Sequence, residues 1–411
     1  MTTYAFQQIR VVDGLGRTIP RATVLITGDR IAAVSDAKQL AAPRGAVRID
    51  GRGLTLLPGL MDCHVHLCLG GEPDVVQAIE REDPAFTLLK ASRAAEKTLA
   101  AGFTTVRDVG FRGHAIFQLK RAIESGILPG PRIVAAGRAI CMPNGHARFI
   151  GQEAEGPDAV VAAVRAELDA GAEVIKFIAS GGVLTPGTSP DSAQMTPEEL
   201  AAGMATARHA GRRVAAHAHG AQGMKNAIRA GANSIEHATL MDAEAAALMK
   251  RFGTVIVPTL SALYNTAEQG PACGIPESAV GKARAMRARH EASFKTARRT
   301  GIPIAMGTDA GTPFNHHGEN AQELEHMVAL GMTPMEALVA TTAAAARLIG
   351  IDDRVGTIEP GKLADLVLVR GNPLSKIALL QDRERIIGVM QAGTFVAGPL
   401  TASRTAAPAR R

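Results

Sequence analysis

Leu57-Pro58-Gly59-Leu60-Met61-Asp62-Cys63-His64-Val65-His66 is an apolar run that ends in D-x-H-x-H. Alternate side chains of a strand share one face, so His64 and His66 point the same way, one rung apart. Two neighbouring neutral imidazoles are the beginning of a site of the zinc type. Two histidines two apart are also common by chance. Their meaning depends on what stands at the ends of later strands.

Downstream the chain repeats one rhythm: a short β-branched run, a Gly-rich or polar loop, then an Ala-rich helical pattern. The pattern predicts strands at 60–66, 104–108, 132–140, 174–179, 214–218, 234–238, 254–259 and 303–309. Helices are predicted at 84–101, 114–125, 158–170, 196–210, 222–230, 242–251 and 278–300, with an eighth region at 320–349 that splits in two near Gly331. Ala101-Gly102, Ala170-Gly171 and Ala230-Gly231 read as helix stops, where a left-handed residue caps the last turn. Strands alternating with helices argue for parallel βα units, and eight of them predict a (β/α)₈ TIM barrel over 58–355. The flanks, 1–57 and 356–400, read as short strands separated by turns. They are expected to pair into one small β-sandwich built from both chain ends, with 401–411 a disordered tail.

Composition narrows the function. The 411 residues are 46% hydrophobic and 20% charged, ordinary for a globular protein with ample core material. The net charge is +6, but Arg404, Arg410 and Arg411 stand in an acid-free end segment, which leaves about half of that charge on the rest. Cations are scattered and aromatic residues are only 3%, the opposite of a nucleic-acid groove. The opening residues show no signal peptide, and no apolar stretch is long enough to span a membrane. The four cysteines form no C-x-x-C pair and read as free thiols. A cytoplasmic enzyme with a small-molecule substrate is expected.

Several polar residues fall where a barrel keeps its chemistry, at the C-terminal ends of strands. Lys176 interrupts the apolar run Val174-Ile175-Lys176-Phe177-Ile178 of the fourth strand. A lysine buried there is costly as an ammonium, and burial lowers its pKa. As a neutral amine it can take up CO₂ to give a carbamate, an anionic ligand with two oxygens; on its own, a lysine reaching the barrel mouth or pairing with an acid is the commoner outcome. His217 ends the fifth strand, His237 the sixth and Asp309 the eighth. His219 shares the parity of His217 and could replace it; His217 is preferred because His219 lies further into the loop. His114, His209, His290 and His326 fall in helical patterns and read as surface or packing residues. Asp309 is placed to act as general base toward a water acidified by metal.

Taken together, Asp62-Cys63-His64-Val65-His66, Ile175-Lys176-Phe177-Ile178-Ala179-Ser180-Gly181-Gly182, Ala216-His217-Ala218-His219-Gly220, Ile235-Glu236-His237 and Gly307-Thr308-Asp309 resemble the amidohydrolase superfamily, in its prolidase-like, imidazolonepropionase-related branch. Gly356-Thr357-Ile358-Glu359-Pro360-Gly361-Lys362-Leu363-Ala364-Asp365-Leu366 resembles that family's return to its small β domain. The resemblance implies two Zn²⁺ per chain. His64, His66 and Asp309 would hold one, His217 and His237 the other, with N-carboxylated Lys176 bridging and a bridging hydroxide as nucleophile. It also implies cleavage of amide bonds in N-acyl amino acids and dipeptides, ochratoxin-like phenylalanine amides included. Barrels of this type commonly associate, so a homo-oligomer is expected.

Such substrates carry a carboxylate beside the scissile amide and need a cationic or hydrogen-bonding clamp. His146, Arg148 and Tyr264 (in a loop expected after the seventh strand) are the candidates, with His316 and His317 also able to face the pocket. Residues 180–195, long for a βα connection, read as a lid. Two alternatives stand beside this reading. One is a deaminase or imidazolonepropionase-type cyclic amide hydrolase with one metal, whose site has no bridging lysine. The other is a barrel that has lost catalysis, which should also have lost ligands.

Overall fold

The computed structural model describes residues 2–36 and 40–404. Strands β1 (Thr3–Val12), β2 (Thr18–Thr27), β3 (Arg30–Asp36), β4 (Val47–Asp50) and β5 (Leu54–Pro58) open the chain. The central part carries β6 (Leu60–Val65), β7 (Phe103–Asp108), β8 (Arg132–Ala135), β9 (Ala139–Cys141), β10 (Gly151–Glu153), β11 (Val174–Ile178), β12 (Arg213–Gly220), β13 (Ser234–Leu240) and β14 (Val255–Val257). Strands β15 (Leu366–Arg370), β16 (Ile386–Gln391) and β17 (Thr394–Ala397) follow.

The two chain ends meet, as expected. Their strands run β17-β16-β15-β5-β1-β2-β3, with β4 beside β1, and the join is antiparallel pairing of β15 with β5. These strands form one hydrogen-bonded sheet of eight, seven along that path and β4 off it, and Phe6, Ile9, Val24, Leu56, Leu366 and Met390 gather in its core. Pro399–Arg404 form a 3-10 segment, so the tail expected from 401 starts in a helical turn; 405–411 lie outside the described residues.

The central part is α/β with parallel sheets. Strands β6, β7 and β8 form one, and β10-β9-β11-β12-β13-β14 another. Strands β6, β11 and β13 are buried on both faces, as strands covered by helices must be. Segment 303–309, expected as the eighth strand, forms no continuous ladder, only an isolated parallel bridge of Ile304 to Ile256, with another just beyond it from Ala310 to Val65. It lies between β14 and β6 on backbone bonds to both sides, among them Ala305 N–H to Ile256 O (3.1 Å), Cys63 N–H to Met306 O (2.9 Å) and Asp309 N–H to His64 O (2.7 Å). Pro303 has no N–H to give and Asp309 is left-handed (φ 63°), which shortens any regular pairing.

Helices lie close to their expected positions. Gly171 (φ 108°) and Gly231 (φ 99°) terminate Pro157–Ala170 and Ala221–Ala230 in the left-handed region that glycine adopts without a Cβ penalty. The region 320–349 forms three helices, not two: Gln322–Ala329, Pro334–Ala340 and Ala343–Ile349. The Thr333–Glu336 capping box with Pro334 restarts the chain, and Thr342 (φ −129°, ψ −97°) breaks it again. The loop expected around Tyr264 is instead helix Leu260–Gln269. Among the described residues no helix is long and apolar enough to cross a membrane.

Candidate metal centre

The histidines at the strand ends converge. His64, His66 and Asp309 form one group and His217, His219 and His237 a second, in each of which the candidate ligand atoms lie within 4.8 Å of one another. Asp309 Oδ1 lies 3.3 Å from His64 Nε2 and 3.2 Å from His66 Nε2. The rings of His64 and His237 are 5.1 Å apart, so the two groups adjoin. His219, the alternative to His217, is in the same group as His217 rather than out in the loop.

Asp62 brings the first and last of these segments together. Its Oδ2 accepts from Thr308 Oγ1 (2.6 Å) and Asn320 Nδ2 (2.8 Å), and its Oδ1 from the His64 and Thr308 amides (3.0 and 3.1 Å). The acid of D-x-H-x-H thus fastens β6 to the Asp309 segment.

Each imidazole has one nitrogen engaged away from the site. His64 Nδ1 meets Glu236 Oε2 (2.8 Å), His66 Nδ1 the Gly110 carbonyl (2.7 Å) and His217 Nε2 the Gly181 carbonyl (3.1 Å). His219 Nδ1 meets Thr239 (2.8 Å), and His237 Nδ1 meets Thr259 (2.6 Å). A carbonyl or carboxylate only accepts, so the bonded nitrogen of His64, His66 and His217 carries a hydrogen; the Nε2 atoms of His64 and His66 face the Asp309 carboxylate.

Lys176 lies in the same cavity, 2% exposed, and its Nζ has no hydrogen-bond partner. Burial lowers its ammonium to about 8, against the pull of Glu236 and Asp309. Burial and the neighbouring imidazoles hold His217, His219 and His237 neutral, well below the ordinary histidine range. Burial also opposes the Asp309 anion, but His64 and His66 outweigh it and keep the carboxyl below its usual value.

The cavity has about 680 Å³ of empty space, open to solvent in part, and apolar walls that include Leu69, Phe149, Ile150, Val183, Leu184 and Leu263. His146 lines it, 6% exposed, with Nδ1 bonded to Thr185 Oγ1 (2.9 Å). A Cβ on Gly182 would come within 2.2 Å of His146 Nε2, so the ring rests on a face that only glycine leaves open. Burial lowers His146 to about 3, with Lys282 adding to the effect. It is a neutral hydrogen-bonding group rather than a cation. Val183 and Leu184 form part of the wall, and Lys282 Nζ donates to the Gly182 and Thr185 carbonyls (3.2 and 2.9 Å) on either side of them.

Two substrate candidates lie elsewhere. Tyr264 faces away on its helix; its hydroxyl donates to Glu291 (2.7 Å) and its ring packs on His326 and Arg287, while Ala262, Leu263 and Thr266 take the cavity side. Arg148 is exposed and lines a neighbouring cleft with Arg112 and Val76. His317 is also outside the cavity lining; its Nε2 is bonded to the His66 and Leu69 carbonyls (3.1 and 3.0 Å). His316 is likewise absent from the lining, its ring lying beside Gly71.

Residues 55–396 match the amidohydrolase family. The chain belongs to that family. Ochratoxinase of Aspergillus niger is 31% identical over 425 residues, which cover 95% of this chain and 85% of that protein. A solved Xaa-Pro dipeptidase with methionine bound in its active site superposes with a TM-score of 0.89 at 37% identity, covering 96% of this chain and 99% of that one. A prolidase complexed with N-methylphosphonate-L-proline gives 0.89 at 30% identity and the same coverage. This amidohydrolase is a hydrolytic enzyme.

Several residues around the site escaped the sequence reading. His290, read as surface or packing, is 2% exposed and its Nε2 donates to the carbonyl of His237 (3.0 Å). Arg107 and Glu236 are both fully buried and paired at 2.9 Å. Opposite charges inside two expected strands were the available signal for that pair. Nothing local marks Thr185, Thr239 or Thr259.

Proposed function

We propose that this amidohydrolase cleaves the amide bond of N-acyl amino acids or dipeptides at a binuclear zinc centre, with ochratoxin-like phenylalanine amides in its range. Lys176 carries the reading: a buried amine with no partner, in one cavity with two three-residue ligand groups. An isolated buried ammonium costs several kcal/mol. Attack of the amine lone pair on CO₂, with loss of one proton, replaces it by an anionic carbamate.

The donors suit zinc: imidazoles whose remote nitrogens are already engaged and a carboxylate oxygen, with His217, His219 and His237 held neutral. His64, His66 and Asp309 would hold one ion, His217 and His237 the other, and the Lys176 carbamate would serve both. His219 is the alternative donor to His217. Ions held there supply Lewis acidity toward a carbonyl oxygen and lower the pKa of water. Asp309 accepts the proton of the attacking water and delivers it to the leaving nitrogen as the C–O bond forms and the C–N bond breaks.

His146 offers a neutral N–H to the substrate carboxylate when the Thr185 hydroxyl donates to its Nδ1. The apolar walls favour an apolar substrate side chain. Arg148, in the adjoining cleft, is within the surroundings of that cavity rather than its lining. We also read the βα units as one closed (β/α)₈ barrel, supported by the bonds from segment 303–310 to β14 and β6 and from Glu173 N–H to Ala135 O (2.9 Å). The free thiols of Cys63, Cys68, Cys141 and Cys273 favour a reducing compartment such as the cytoplasm.

The test is a panel of N-acyl amino acids and dipeptides varied at the C-terminal residue, run on protein of measured metal content. Two zinc ions per chain and faster cleavage before apolar residues are expected. Full activity with one metal would move the reading to a mononuclear deaminase or imidazolonepropionase-type hydrolase. Failure of the fully metallated protein to cleave any member would remove the amide assignment.

A further inference from the structure

Every imidazole of the two ligand groups has a remote partner, but the partners differ in kind. His66 and His217 meet carbonyls, His219 and His237 meet threonine hydroxyls. Among the described residues only His64 is backed by a carboxylate, that of Glu236. Glu236 stands directly before His237 on β13 and is fully buried, with Oε1 accepting from Ser234 Oγ (2.5 Å). Arg107, on β7 and 1% exposed, holds the same carboxylate through Nη2, at 2.9 Å from Oε1 and 3.1 Å from Oε2. Its Nη1 donates to Ser234 Oγ (3.1 Å), and its Nε to the carbonyl of Cys63 (2.5 Å), the residue before His64.

We propose that Arg107 and Glu236 are positioning residues of the metal centre that make the His64–His66–Asp309 side its tighter half. The inference rests on the metal-centre reading above. Arg107 bridges three strands, β6 through Cys63 and β13 through Ser234 and Glu236, from its own place on β7. It therefore fixes both the backbone that carries His64 and the carboxylate that orients the His64 ring. A carboxylate behind an imidazole also strengthens its donor nitrogen more than a carbonyl or hydroxyl does. The buried pair does not need this arrangement for stability, since apolar residues of similar volume commonly replace buried ion pairs without loss.

The experiment titrates zinc into metal-free protein by calorimetry, with folding followed by circular dichroism. Wild type should show two binding events of unequal affinity. Glu236→Gln should weaken the tighter event by roughly 10- to 100-fold and leave the weaker one in place. If the orphaned Arg107 charge unfolds that variant, the double variant Arg107→Met/Glu236→Leu removes both charges and should fold with the same selective loss. Glu236→Asp should recover part of the affinity. Cobalt substitution gives a second readout: the visible spectrum of the first ion bound should change in the variants and that of the second should not. Two unaltered binding events in a folded variant, or equal weakening of both, would overturn the inference. Absence of stoichiometric binding by wild type would overturn the metal-centre reading itself.

Discussion

The hydroxyl of Thr259 lies 2.6 Å from Nδ1 of His237, and both residues are in the left-handed backbone region, at φ 53° and 70°. Thr259 Oγ1 is also 2.7 Å from the Pro258 carbonyl, which can only accept. Its one proton is spent there, so it accepts from His237 Nδ1–H and leaves His237 Nε2 free to bind metal. Left-handed non-glycine residues cost of order 1 kcal/mol or more and persist where surrounding bonds hold them. His290 supplies another such bond, to the His237 carbonyl. Thr259→Val should lower metal retention on dialysis by about ten-fold, and Thr259→Ser should restore it. Metal analysis after dialysis checks this; unchanged retention in Thr259→Val would rule out the role.

Asp309→Asn should leave the fold intact and metal bound but reduce kcat by about 10²- to 10⁴-fold, the range of a lost general base. Steady-state kinetics on metal-analysed protein decide it, and near-normal turnover would remove Asp309 as the proton carrier.

Lys176→Ala should empty or disorder the centre. Short carboxylic acids added with zinc should restore part of the activity by standing in for the carbamate, and failure of every acid tried would argue against a carboxylated lysine. In wild type the pH dependence follows from burial. Only the neutral amine takes up CO₂, and its pKa is lowered to about 8. At a fixed concentration of dissolved CO₂, recovery of metal-free protein with zinc should therefore accelerate up to about pH 8 and level off above it. A rate still climbing toward the pKa of an exposed lysine would contradict this.

Thr185→Val should raise KM for substrates with a free carboxylate about ten-fold and change kcat little, because His146 loses the partner of its Nδ1. A matched amide without the carboxylate should not respond. Equal effects on both substrates would separate His146 from carboxylate binding.

Chelators should abolish activity and zinc restore it. Saturating zinc should also raise the unfolding temperature, since a ligand that binds only the native state stabilises it. A chelator-resistant enzyme would contradict a metal-dependent mechanism.

The candidate ligand types and their order along the chain were legible because chemistry and periodicity are local. A histidine pair alternating in an apolar run, a lysine where an ammonium is costly, and an aspartate after a Gly-Thr turn each declare themselves within a few residues. The same local rules found most helices and their glycine stops. They failed at segment 303–309, which joins two distant neighbours through isolated bridges instead of a continuous ladder. They also failed at 260–269, where a helix turns Tyr264 outward and Leu263 inward.

What the amino-acid order determined by itself was the βα rhythm, the family and the residues able to bind metal. Tertiary structure alone decided which nitrogen each imidazole turns inward, that His219 joins His217, and that Arg148 and Tyr264 stay outside the cavity. It also brought Arg107 to Glu236 across 129 positions of sequence. Those outcomes depend on bonds of about 3 Å between strands far apart in the chain, and no local periodicity encodes a distance of that kind.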